Sequence, residues 1–182
     1  MSDLTTAAIN LLKDLIGLPS FSKQEDKTAD RIGEWFNHYG IPYERDGNNL
    51  WAKNKAFDPQ KPTLLLNSHH DTVKPNTAYT NDPFEAKIVD GKLYGLGSND
   101  AGGALVSLIA LFTHYFNKEN PKYNLLVVAS AEEEIAGDDS LSGLLPKLPK
   151  IDVAIVGEPT EMHLAVAEKG LIVFDAVIKG TP

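Results

Sequence analysis

Cysteine is absent from the 182 residues, which excludes a disulfide framework, a thiolate metal site and a cysteine nucleophile together. Positive charge is scarce: 17 Lys and Arg stand against 25 Asp and Glu, for a formal net charge of −8. Nucleic-acid binding depends on Lys and Arg neutralising phosphates, so this balance argues against such a partner. No apolar run approaches the roughly 18 residues that a membrane-spanning helix needs. The first twenty residues include Asp3, Lys13, Asp14 and Pro19 and lack the basic-then-apolar pattern of a secretory signal. Repeats and low-complexity tracts are missing as well. The expectation is a cytoplasmic protein with neither membrane nor nucleic acid as partner. With 42% apolar residues, the chain can build one domain around a real core.

The apolar residues that are present fall into helical stripes and unbroken runs. Ala8, Leu11, Leu12, Leu15 and Ile16 recur at helical spacing and predict a first helix that stops near Gly17. Ser22 and Glu25 are spaced as a capping box for a second helix, with Ala29, Ile32, Trp35, Phe36 and Tyr39 on its apolar face and Gly40 as its stop. Residues 101–116 predict a third helix, and residues 140–148 a short one broken by Gly143 and Pro146. Short strands are expected over residues 42–45 and 50–54, on either side of Gly47 and Asn48. Residues 63–67, 124–130 and 153–157 are apolar without alternation, as in strands covered on both faces. Asp90-Gly91 marks a hairpin between residues 85–89 and 92–94. Strands alternating with helices predict a three-layer αβα domain with a largely parallel mixed sheet. A further hairpin is expected over residues 164–168 and 171–179, and its abrupt end reads as a truncation.

Acids collect where the apolar strands end. His69, His70 and Asp71 follow the strand at 63–67, Glu132, Glu133 and Glu134 follow that at 124–130, and Glu158 follows that at 153–157. Asp100 stands in the glycine-rich stretch before the third helix. In an open α/β sheet ligands bind beyond the carboxyl ends of the strands, so acids delivered there converge on one crevice and call for a cation. Each has a plainer reading: Asp71 and Glu158 as strand-end or turn residues, Asp100 as an N-cap, the three glutamates as a solvated loop. Neighbours on an extended chain face opposite ways, so His69 and Asp71 share a side while His70 lines the other. Among the three glutamates, one can ligate a metal while a neighbour takes a proton from water. Gly95, Gly97 and Asp100 break the dinucleotide fingerprint, since Asp100 stands where its last glycine belongs and would repel pyrophosphate.

Four motifs in order give these residues a family resemblance. Ser68-His69-His70-Asp71-Thr72-Val73 resembles a Gly-His-x-Asp-x-Val segment, and Asp100-Ala101-Gly102-Gly103 an Asp-x-Gly-Gly segment. Ala131-Glu132-Glu133-Glu134 resembles an Asp-Glu-Glu segment, and Gly157-Glu158-Pro159-Thr160 a Gly-Glu-Pro-Thr segment. All four belong to the dizinc amidohydrolases and exopeptidases that include acetylornithine deacetylase, succinyl-diaminopimelate desuccinylase and glutamate carboxypeptidase. The resemblance implies two zinc ions, with cobalt or manganese as alternatives. It implies that His69 and Glu158 ligate one and Glu134 the other, with Asp100 bridging, Asp71 beside His69, and Glu133 as general acid/base.

It also implies hydrolysis of an amide bond, most closely removal of an acyl group from an N-acyl amino acid such as N-acetylornithine, with short peptides as alternative substrates. The whole protein would be a homodimer. Ser68, Leu96 and Glu132 depart from the family's usual glycine, arginine and aspartate without removing a ligand. The family's late histidine ligand and inserted smaller domain have no counterpart here. Residues 1–178 are therefore expected to be most of a catalytic domain, residues 179–182 the start of the insertion, and the chain alone a metal-binding module with little activity.

Overall fold

A computed structural model describes residues 3–167 together with Gly170, Ala176, Ile178 and Gly180. Helix α1 (Asp3–Ile16) buries Ala8, Leu11, Leu15 and Ile16, and α2 (Asp26–His38) buries Ala29, Ile32, Trp35 and Phe36. Strands β1 (Glu44–Asp46) and β2 (Asn49–Lys53) form an antiparallel pair. Then follow β3 (Thr63–His69), the small hairpin of β4 (Lys87–Val89) and β5 (Lys92–Tyr94), and α3 (Gly103–Tyr115). Strand β6 (Asn124–Ser130), the short α4 (Leu141–Leu144) and β7 (Val153–Val156) complete the order. No helix among the described residues is long and apolar enough to cross a membrane.

The main sheet has the order β1-β2-β6-β3-β7. It is mixed: β3 runs parallel to both β6 and β7, while β2 joins β6 antiparallel. Strand alternation sends side chains to two cores. Leu50, Ala52, Leu66, Val127 and Ala129 meet α1, α2 and α3 on one face. Trp51, Leu65, Leu126 and Val128 meet Leu144 of α4 and its flank on the other. This is the three-layer α/β arrangement expected from the strand and helix pattern.

Three expectations need correction. Ser22 and Glu25 form no capping box: α2 starts at Asp26, Ser22 Oγ donates to Asp71 Oδ2 at 2.8 Å, and no side chain caps the helix. The two residues are drawn instead to buried polar groups under the site. Strand β7 is not covered on both faces, with Val153, Ile155 and Val156 exposed by 61%, 47% and 54%. Among the described residues it is an edge strand, paired only with β3. The third helix starts two residues late because Asp100 and Ala101 have non-helical dihedrals. The hairpin expected over residues 164–179 lies largely outside the described residues.

Candidate metal centre

Register alone brings the ends of the parallel strands together. His69 is paired with Ser130 and Asn67 with Val156, so Glu158, two residues past Val156, comes level with His69, two past Asn67. Glu132, Glu133 and Glu134 follow directly beyond Ser130 and Ala131. Asp100 arrives from the turn before α3. There Gly97 has φ +73°, and a Cβ on it would lie 2.6 Å from Thr72 Cγ2, so only glycine fits both the backbone and the space.

His69 is the centre of the cluster. Its Nδ1 lies 3.1 Å from the Asp71 carbonyl and 3.2 Å from Asp71 Oδ1. Both can only accept, so Nδ1 carries the proton and Nε2 faces the acids. From Nε2 the distances are 3.1 Å to Asp100 Oδ1, 3.7 Å to Glu158 Oε2 and 3.8 Å to Glu133 Oε2. One donor atom from each of His69, Asp100 and Glu134 lies within 4.8 Å of the others. All six residues singled out from the sequence therefore meet at one place. His70 does not join them: it is buried, with Nε2 donating to the Asn48 carbonyl at 2.9 Å and Nδ1 2.8 Å from Thr28 Oγ1.

The electrostatics are those of a cation site. Burial would lower the proton affinity of His69, but hydrogen bonds to Asp71 and Glu158, with their charges, push its pKa up to about 11. Among the described residues no Lys or Arg is paired to the cluster, and the acids hold a proton on the imidazole. Burial raises Glu133, and the charges of Glu158, Asp71 and Asp100 add to that rise against the opposing pull of His69. Glu134 is raised by burial and then by Asp100. Asp71 goes the other way. Against the cost of burial, hydrogen bonds from His69, Ser22 and the amides of Glu133 and Glu134 hold it below the usual carboxylate range.

One imidazole and four convergent carboxylates, with no Lys or Arg paired to any of them among the described residues, suit a hard or borderline divalent ion. The Nδ1 proton of His69 resting on Asp71 also fits, since a ligating histidine commonly donates its other nitrogen to a carboxylate. Two contributors were not foreseen. Ser68, which departs from the family pattern, donates to the Gly157 carbonyl at 2.8 Å and so ties the base of Glu158 to β3. Glu25, read as part of a helix cap, lies fully buried with an oxygen 3.3 Å from the amide of Glu132. A buried carboxylate that accepts from backbone has no periodic signature to reveal it.

Residues 65–170 match the sequence profile of Peptidase family M20/M25/M40. An uncharacterized metallohydrolase of Methanocaldococcus jannaschii is 31% identical over 208 residues, covering 98% of this chain and 51% of its own length. The chain thus spans about half of that relative. An M20 family metallo-carboxypeptidase from Sulfolobus solfataricus superposes with TM-score 0.67 and 26% identity, over 86% of this chain and 37% of that one. A dinuclear metal binding peptidase of Bacillus subtilis shares the fold with TM-score 0.65 at 22% identity, over 86% and 43% of the two chains.

Proposed function

Given that the chain belongs to the M20/M25/M40 family of peptidases, we propose that the whole protein is a two-metal hydrolase that cleaves the amide bond of a small substrate. One observation carries this reading: donor atoms of His69, Asp100 and Glu134 lie within 4.8 Å of one another, with Glu133 and Glu158 beside them and, among the described residues, no Lys or Arg paired to them. His69 Nε2 and Glu158 would hold one cation and Glu134 the other, with Asp100 shared between them. Zinc suits mixed imidazole and carboxylate donors, as cobalt and manganese also do. When bound, such ions supply Lewis acidity and a water that ionises near neutral pH.

Glu133 is the carboxylate left free for proton transfer. It takes a proton from water as the water oxygen attacks the carbonyl carbon, and returns it to the nitrogen as the C–N bond breaks. Its raised proton affinity supports both steps, because a group that titrates nearer neutrality can both accept and donate there. Asp71 holds the Nδ1 proton of His69, so that a bound cation would displace only the proton on Nε2, the nitrogen that faces the cluster.

The substrate we propose is an N-acyl amino acid, with N-acetylornithine as the type case, on the strength of the motif resemblance. A second reading, an exopeptidase acting on short peptides, is favoured by the similarity to a metallo-carboxypeptidase. The whole protein would act as a homodimer. Chelator-treated whole protein should hydrolyse N-acyl amino acids only after zinc is restored. Zinc-dependent cleavage of dipeptides alone would replace the first reading by the second. Full activity without any divalent ion would overturn both.

A further inference from the structure

The buried carboxylate of Glu25 lies outside the cluster and takes no part in the chemistry above. Its side chain is fully enclosed, it belongs to no ion pair among the described residues, and its donors are all neutral. Oε1 accepts from the amide of Lys23 at 2.8 Å and from the amide of Glu132 at 3.3 Å, and Oε2 accepts from Asn48 Nδ2 at 3.0 Å. Burying a carboxylate without a counter-charge is costly, so it persists where the groups it holds matter.

What Glu25 holds is the start of the turn that delivers two of the acids. Glu132 has a left-handed backbone, φ +51°, uncommon for a residue with a side chain. The next two amides are held as well: Glu133 N donates to Asp71 Oδ1 at 3.1 Å and Glu134 N to Asp71 Oδ2 at 3.2 Å. Three successive amides are thus gripped by two carboxylates, Glu25 and then Asp71. Asn48 completes the brace, since its side chain donates to Glu25 while its carbonyl accepts from His70, the neighbour of His69.

From this geometry we infer that Glu25 is a positioning residue: it fixes the backbone of Glu132 so that Glu134 reaches its cation and Glu133 faces the substrate. The inference rests on the two-metal reading given above. It is tested by titrating the whole protein with Co2+, followed by visible absorption, and with Zn2+, followed by calorimetry. In Glu25→Ala the ion held by Glu134 should bind about 10–100-fold more weakly, while the ion on His69 and Glu158 stays within about threefold of wild type. The Co2+ spectrum should change accordingly. Glu25→Gln keeps one accepting oxygen and should recover most of the affinity. Where Glu25→Ala does not fold, Glu25→Asp, with its oxygens withdrawn by one methylene, should show the same selective loss in smaller measure.

Equal loss at both ions, tracking a lower melting temperature, would reduce Glu25 to a merely structural role and overturn the inference. So would wild-type affinities and spectrum in Glu25→Ala when the wild type binds two ions. A wild type that binds no divalent ion would overturn the two-metal reading along with it.

Discussion

Strands β6 and β7 flank β3 on opposite sides, both run parallel to it, and both end in acids close to the same imidazole. They are nonetheless opposite in character. Leu126, Val127, Val128 and Ala129 of β6 are 0% exposed, whereas every residue of β7 is exposed. Beyond β6, the amides of Glu133 and Glu134 are held by Asp71, and that of Glu132 by Glu25. Beyond β7, Glu158 is secured through Gly157, whose amide donates to the Asn67 carbonyl at 2.8 Å and whose carbonyl accepts from Ser68. The lesson is that Glu133, the carboxylate proposed to transfer the proton, stands beyond the buried strand with a braced turn, while Glu158, proposed only as a ligand, stands beyond an edge strand.

The largest expected effect tests that division of labour. Glu133→Gln in the whole protein should lower kcat by roughly 10²–10⁴-fold with bound metal unchanged by elemental analysis. Unchanged kcat would end the assignment. The strands themselves can be compared by denaturant unfolding. Leu126→Ala in β6 should cost about 2–5 kcal/mol, and Ile155→Ala in β7 no more than about 0.5–1 kcal/mol, as an exposed site does. Equal losses would mean that β7 is covered after all.

His69, where the two sides meet, gives a pH test. Its pKa in the fold, about 11, is raised above the ordinary value of 6.5. The stabilisation is therefore fully present below pH 6.5 and lost as pH rises toward 11. The melting temperature of metal-free protein should fall across that window, and His69→Ala should lack this component. Asp71, whose pKa is depressed, adds stability that is lost only as pH falls into the acid range. The smallest effect belongs to Ser68→Ala, which removes one bond to the β7 end and should cost about 1 kcal/mol, with the ion on Glu158 bound more weakly than that on Glu134.

Much of this was legible beforehand, and the exceptions have physical causes. The helices show in their periodicity, and β3 and β6 in unbroken apolar runs, because their apolar side chains are buried against fixed partners. His69 and the acids show because apolar strands rarely end in clustered charge. The exposure of β7 does not show, since its residues are as apolar as those of β6 and only the neighbours differ. The capping-box spacing misleads because it is local, while the partners of Ser22 and Glu25, Asp71 and Glu132, lie 49 and 107 residues away.

The strand register described above also makes the length of β3 a matter of parity. A single residue inserted ahead of His69 would turn His70 toward Asp100 and Glu158 and send His69 toward Thr28, because successive side chains alternate faces. Two inserted residues would restore the correct side but carry the imidazole about 6.6 Å too far at ~3.3 Å per residue. The segment can therefore change freely in side-chain chemistry where the core allows, but hardly at all in number of residues.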